Sequence, residues 1–280
     1  MIQIIRSVPT WSTLRNLGQS RLLAYTALVP FLGFVLLFNE QLVDLLSLSP
    51  TVAAQLSGSM PDTSAGIAKE ITLHRLYLAY FGLSFLGLSS FLYNLLCPIE
   101  IKTFSSASEF VNSERPLTTM PRRGLLIGEI TNDFIIAQLE TKGRLRRGLS
   151  DLQYPMQVVS MFSAVFKGIF ENSDHPQKRP EGDISAGQSE LGVYTALGEV
   201  DVFKVAEILM TGRMYLRAFK ENFIVAAEPF AVDLLTLRYM GLDHSRAVYR
   251  IVISLFYMLG FGILFYPTAL TFIQLLWSFF

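Results

Sequence analysis

Three long stretches of the chain carry no formal charge, and polar or periodic sequence separates them: Leu22 to Phe38, Leu76 to Cys97, and Ile251 to Phe280. A helix needs roughly 20 apolar residues to cross a bilayer core. The last stretch, IVISLFYMLGFGILFYPTALTFIQLLWSFF, exceeds that length, and no soluble core helix of ordinary length reads this way. The pattern predicts a mainly α-helical integral membrane protein with three transmembrane helices, at about 22–38, 76–97 and 251–275. Pro30 and Gly33 in the first stretch and Pro267 in the last are tolerated in spans better than in soluble helices. The first stretch is expected as an uncleaved anchor, because the nearest small-residue site, Val52 to Ala54, lies far beyond the apolar run.

Residues 98–250 read as a mostly helical domain inserted between spans two and three. Ile99 to Lys102 alternates apolar and polar and predicts a short strand. Ser105 or Ser106 can cap a helix through Glu109, Phe110 and Val111. A turn-rich piece with Pro116, Pro121 and Gly124 follows, then a helical pattern from Leu125 to about Leu149. Asp151 can cap the next helix, which reaches Phe170 with one wide apolar face. Residues 172–190 hold Pro176, Pro180, Gly182 and Gly187 among polar residues and read as a flexible linker. Helical periodicity resumes near Leu191 and breaks at Thr211 and Gly212. A further helix runs to Met240, kinked at Pro229 and ended by Gly241, and Asp243 or Ser245 can cap the last helix.

Charge placement sets the expected orientation. Lys+Arg and Asp+Glu balance at 23 each, which gives no global reason to expect nucleic acid as a partner. The leader, 1–21, holds Arg6, Arg15 and Arg21 and no acid; Trp11, Leu14 and Leu17 fit a short helix at the lipid interface, or a plain leader. The 39–75 connection has only Lys69 and Arg75 as bases. Lys and Arg favour the cytoplasmic side of spans. The expected topology is a cytoplasmic N-terminus, an external 39–75 connection in the 22–97 hairpin, a cytoplasmic 98–250 domain and an external C-terminus at a bacterial inner membrane.

Motifs of chemistry are sparse. The single cysteine, Cys97, permits no intrachain disulfide, and burial or acylation could each explain it. His74, His175 and His244 share no metal-ligand spacing, and the G-x-S-x-G, P-loop, G-x-G-x-x-G and H-E-x-x-H patterns do not occur. Catalytic, cofactor and metal residues are therefore expected to be none. Glu129 and Asp133 lie four apart on one helix face, as solvated faces often show. Lys142, Arg144, Arg146 and Arg147 are candidate contacts for anionic lipid, or a helix end favoured by its dipole. Val158, Phe162, Val165, Phe166 and Ile169 form a candidate interaction face, with core burial as the alternative. Ala79, Gly82, Leu86, Ser89 and Tyr93 make a stripe suited to close packing in lipid, with span one as the expected neighbour. The spans contain no formally charged residue, which argues against a pump or coupled transporter.

These features point to a multi-pass protein, non-enzymatic, whose cytoplasmic domain binds a partner or signal. The expected partners are the lipid bilayer and a second protein or a second copy. Two alternatives stand beside this: a pore-forming or membrane-perturbing effector, and a membrane-bound enzyme acting on lipid. In layout alone the chain is similar to small bacterial membrane proteins that serve as accessory or effector subunits, for instance in anti-phage defence; that likeness transfers no residues.

Overall fold

Helix dominates the computed structural model, which describes residues 8–26, 64–141, 154–173, 193–195, 198–211 and 217–279, with no strand among them. The chain divides into two units: Met1–Ser12 with Pro98–Val248, and Thr13–Cys97 with Tyr249–Phe280.

The first unit is a helical domain. After Pro98 comes α4 (Ile99–Thr103), where a strand was expected. Four alternating residues span barely one helical turn, so alternation there cannot separate the two structures. The Lys102 N–H donates to the Pro98 carbonyl at 3.2 Å, and Ile101 is fully buried. Helix α5 (Ala107–Glu114) starts at Ser106, whose hydroxyl accepts from the Glu109 N–H. The Glu109 carboxylate returns to the Ser105 N–H at 2.6 Å, which satisfies a second donor near the helix start. A 3-10 turn, Arg115–Leu117, leads into α6 (Met120–Thr141). That helix starts five residues before the sequence pattern indicates, because Pro121 falls in its first turn, where a missing N–H costs nothing. Its expected continuation to Leu149 lies outside the described residues, as does Asp151.

Helix α7 (Met156–Asn172) follows Pro155, which takes the cap position expected of Asp151. Leu191, where helical periodicity was expected to resume, lies outside the described residues. Tyr194 bridges Val200 across a turn containing Gly198, whose φ of 76° suits a residue without Cβ, and α8 (Val202–Met210) follows with Asp201 as its cap. Pro229 falls between two helices rather than kinking one: α9 (Arg217–Ala226) and α10 (Ala231–Asp243). Gly241 does not end α10, which continues to Asp243.

Apolar faces of α6 to α10 close one aromatic-rich core. Phe134 stacks on Phe162 at 4.3 Å and on Tyr154 at 4.7 Å, and Phe162 also meets Phe166 and Phe203. Phe166, Phe170, Phe219 and Phe223 continue the cluster. Such ring pairs add about 0.5–1.5 kcal/mol each beyond the apolar area they bury.

The second unit holds the membrane-type helices. Helices α1 (Trp11–Gly18), which starts in the first unit, and α2 (Arg21–Thr26) come first in sequence. Two long helices follow: α3 (Ser64–Leu96) and α11 (Ala247–Phe279), whose first two residues belong to the first unit. Each contains a stretch long and apolar enough to cross a membrane, Leu73–Leu96 and Ala247–Leu270, of mean hydropathy 1.4 and 1.9. Helix α11 continues through Pro267. Of the expected first span, 22–38, residues 27–38 lie outside the described residues.

Candidate functional site

The most concentrated polar group in the domain is built across α6 and α10. Arg238 reaches over from α10 and pairs with Glu129 at 3.0 Å and Asp133 at 2.9 Å. One turn of α6 separates the two acids, so one guanidinium can bridge both. The Arg238 side chain is 16% exposed, against 37% for Asp133 and 53% for Glu129. Burial pushes the Asp133 carboxyl above its usual range; Arg238 pulls it back and Glu129 pushes it further up. The acid pair singled out in the sequence is thus committed to an ion pair joining two helices. The sequence offers no local sign of Arg238 as its partner, 105 residues beyond Asp133.

A second polar group sits where the domain helix α10 ends. The Asp243 carboxylate accepts from the Ser12 N–H at 2.7 Å and from the Ser12 hydroxyl at 2.9 Å. An acid 231 residues away in sequence thereby satisfies an otherwise open donor in the first turn of α1. The Trp11 indole N–H donates to the Ser245 carbonyl at 3.0 Å. Trp11 is fully buried, so it is not a lipid-interface anchor as its position in the basic leader suggested. Asp243, expected as a possible cap for the last helix, is the final residue of α10 and serves α1. Arg246, between α10 and α11, has a φ of 53°, in the left-handed region that non-glycine residues seldom adopt.

At the opposite end of α10, Arg123 is 8% exposed, with Nη2 3.4 Å from Glu228 and Nη1 3.4 Å from the Thr118 carbonyl. No His, Cys, Asp or Glu group of metal-binding size occurs among the described residues.

Compared with protein-family models, curated proteins and solved structures, the chain shows no match.

The residues singled out in the sequence fall into three groups. Val158, Phe162, Val165, Phe166 and Ile169 are 0–7% exposed and form part of the domain core. That face is covered by α6, α8 and α9, so it is not a free interaction surface. Lys142, Arg144, Arg146 and Arg147 lie outside the described residues. In the packing stripe, Gly82, Leu86, Ser89 and Tyr93 are buried and Ala79 is half-buried.

Among the described residues the stripe meets α11 and α1, while residues 27–38 of span one, the expected neighbour, lie outside them. Gly82 and Leu86 meet the last membrane-type helix: a Cβ on Gly82 would lie 2.7 Å from Leu264 Cγ, and one on Gly260 would lie 2.8 Å from Leu86 and 2.9 Å from the Gly82 carbonyl. Backbone approach this close needs glycine on both helices. Further along, Gly18 lies against the Tyr93 ring, and the Ser90 hydroxyl donates to the Gly18 carbonyl at 3.3 Å. Phe85 and Phe256 stack at 5.9 Å between the two long helices. Gly262, two residues after Gly260, has open space where its Cβ would be. Cys97 is buried and forms no disulfide.

Proposed function

We propose that this chain is a multi-pass inner-membrane protein that holds a helical domain at the cytoplasmic face, where the domain binds a partner or signal without chemistry of its own. The observation that carries this reading is the outward surface of α11. Met258, Phe265, Phe272 and Trp277 are 64–79% exposed there, an apolar surface suited to lipid and not to water. Three spans are proposed, the third being 22–38; helix α2 opens that segment and packs on α3. The distribution of bases supports the orientation, with the N-terminus inside and the C-terminus outside.

The domain's own core is closed, so partner binding falls to its surface. Leu117 and Leu125 are each 62% exposed near the Arg123–Glu228 end. Purification in mild detergent, with crosslinking before lysis, tests the reading. A defined protein should crosslink to wild type and be lost from Leu125→Asp at equal abundance. Crosslinking unchanged by that variant, or absent altogether, would count against partner binding through this surface.

A second reading, a pore-forming effector, draws on Gly262, which leaves a notch among Phe261, Leu264, Phe265 and Thr268 where another span could approach. Depolarisation of cells on overexpression, abolished by Gly262→Leu, would favour it; unchanged membrane potential would exclude it.

A further inference from the structure

Helix directions within the domain place one exposed corner level with the points where the chain leaves it. Helices α6 and α10 run side by side in the same direction. Arg123, early in α6, meets Glu228 just before α10, and further along Glu129 and Asp133 meet Arg238. Helix α7 runs the other way. Its last residue, Asn172, donates to the Ala226 carbonyl at 3.1 Å, and Gly168 faces the Phe230 ring, whereas Phe162 stacks on Phe134. The first residue of α7, Met156, therefore lies beyond Phe134 in the direction of the α10 C-terminus. Six residues of helix from Phe162 back to Met156 amount to about 9 Å. The nine residues from Arg238 to Ala247 reach a comparable level.

The chain leaves the domain at this same end. Ser12 is bound to Asp243, and Val248 follows α10 by five residues. Pro98 precedes α4, whose following residue, Phe104, accepts from the Tyr239 hydroxyl at 3.1 Å. Two of these exits, Pro98 and Val248, adjoin the stretches apolar enough to cross a membrane. The end of the domain that carries the exits also displays apolar side chains to the outside: Met156 is 82% exposed and Ile99 67%. In sequence, the stretch joining α6 to α7 contains Lys142, Arg144, Arg146 and Arg147 and one acid, Asp151. That charge complements an anionic leaflet.

We infer that the start of α7, Pro155 and Met156, rests in the headgroup layer of the membrane, so that the domain meets the lipid surface with the end that carries its exits. This rests on the membrane reading above. An apolar side chain exposed at this level gains by leaving water for the interface, and the bases that precede Pro155 in sequence favour an anionic surface.

Fluorophore quenching by spin-labelled lipid tests the inference in the full chain. A single cysteine replaces Met156, Leu117 or Met258 in a Cys97→Ala background. Each variant is labelled and reconstituted into phosphatidylethanolamine–phosphatidylglycerol vesicles containing lipid nitroxides at the headgroup or along the acyl chain. Label at Met156→Cys should be quenched by headgroup nitroxide several-fold more than label at Leu117→Cys, which lies at the opposite end of the domain. Label at Met258→Cys should be quenched best by the acyl-chain nitroxide. Quenching at 156 no greater than at 117, with 258 still quenched, would overturn the inference and leave the membrane reading in place. Loss of quenching at 258 would overturn both. Met156 and Leu117 are both largely exposed, so neither change should disturb folding.

Discussion

Gly260→Ala is the sharpest test of the packing between the two long helices. The added methyl would stand 2.8 Å from the Leu86 side chain and 2.9 Å from the Gly82 carbonyl oxygen. Leu86 can rotate away, but a carbonyl inside a helix cannot, so the helices must part by several tenths of an ångström. Overpacking of this kind destabilises by about 1–3 kcal/mol, offset by about 1 kcal/mol because alanine favours helix over glycine. Gly262→Ala is the matched control two residues away. Its methyl meets nothing within 4 Å, so only the helix-favouring gain of up to about 1 kcal/mol remains. The two variants should differ by roughly 2 kcal/mol, about thirtyfold in the unfolding equilibrium. Unfolding by added SDS in mixed micelles would measure it, with Gly260→Ala unfolding at lower SDS than wild type and Gly262→Ala at equal or higher SDS. Equal midpoints for both variants would refute the close crossing.

Three further outcomes follow from the domain. Phe162→Asp places an unpaired charge at a fully buried position, so the domain should unfold and abundance collapse, whereas Leu125→Asp should leave abundance unchanged; a folded Phe162→Asp protein would contradict the core assignment. Because burial raises the Asp133 carboxyl, the folded domain keeps a proton that the unfolded chain has already released. Stability from this group therefore falls as pH rises from the ordinary carboxylate range through the raised one, and is level above it. Asp133→Asn should remove that slope from urea midpoints taken between about pH 4 and pH 7, and identical slopes would argue against it. Asp243→Ala leaves the Ser12 donors without their acceptor and should destabilise by about 1–3 kcal/mol. In a Trp277→Phe background, Trp11 emission should then shift to the red and become open to acrylamide; unchanged emission would show that the clasp is dispensable.

Local periodicity carried much of the fold. Both membrane-type helices and the apolar face of α7 are legible because they follow from residue order alone. What that face meets is not, since Phe134, Phe203 and Phe223 come from three other helices. An apolar face seen in isolation reads equally as core or as docking surface. Proline was equally ambiguous: Pro121 starts a helix, Pro155 precedes one and Pro229 separates two, and only the neighbouring chain decides which. Ile99 to Lys102 is too short for alternation to distinguish strand from helix. The polar groups were the least legible, because Arg238 with Asp133 and Asp243 with Ser12 are joined by folding and not by spacing. The Gly82–Gly260 crossing was visible as two separate small-residue positions, without a sign that they pair.

In the proposed topology the two long apolar helices, which bracket the domain in sequence, each cross a membrane. Reporter fusions that distinguish the two sides test it most directly, placed at position 60, near Gly182 and at the C-terminus. The expected signals are external at 60, cytoplasmic at 182 and external at the C-terminus. A cytoplasmic signal at all three would contradict that topology.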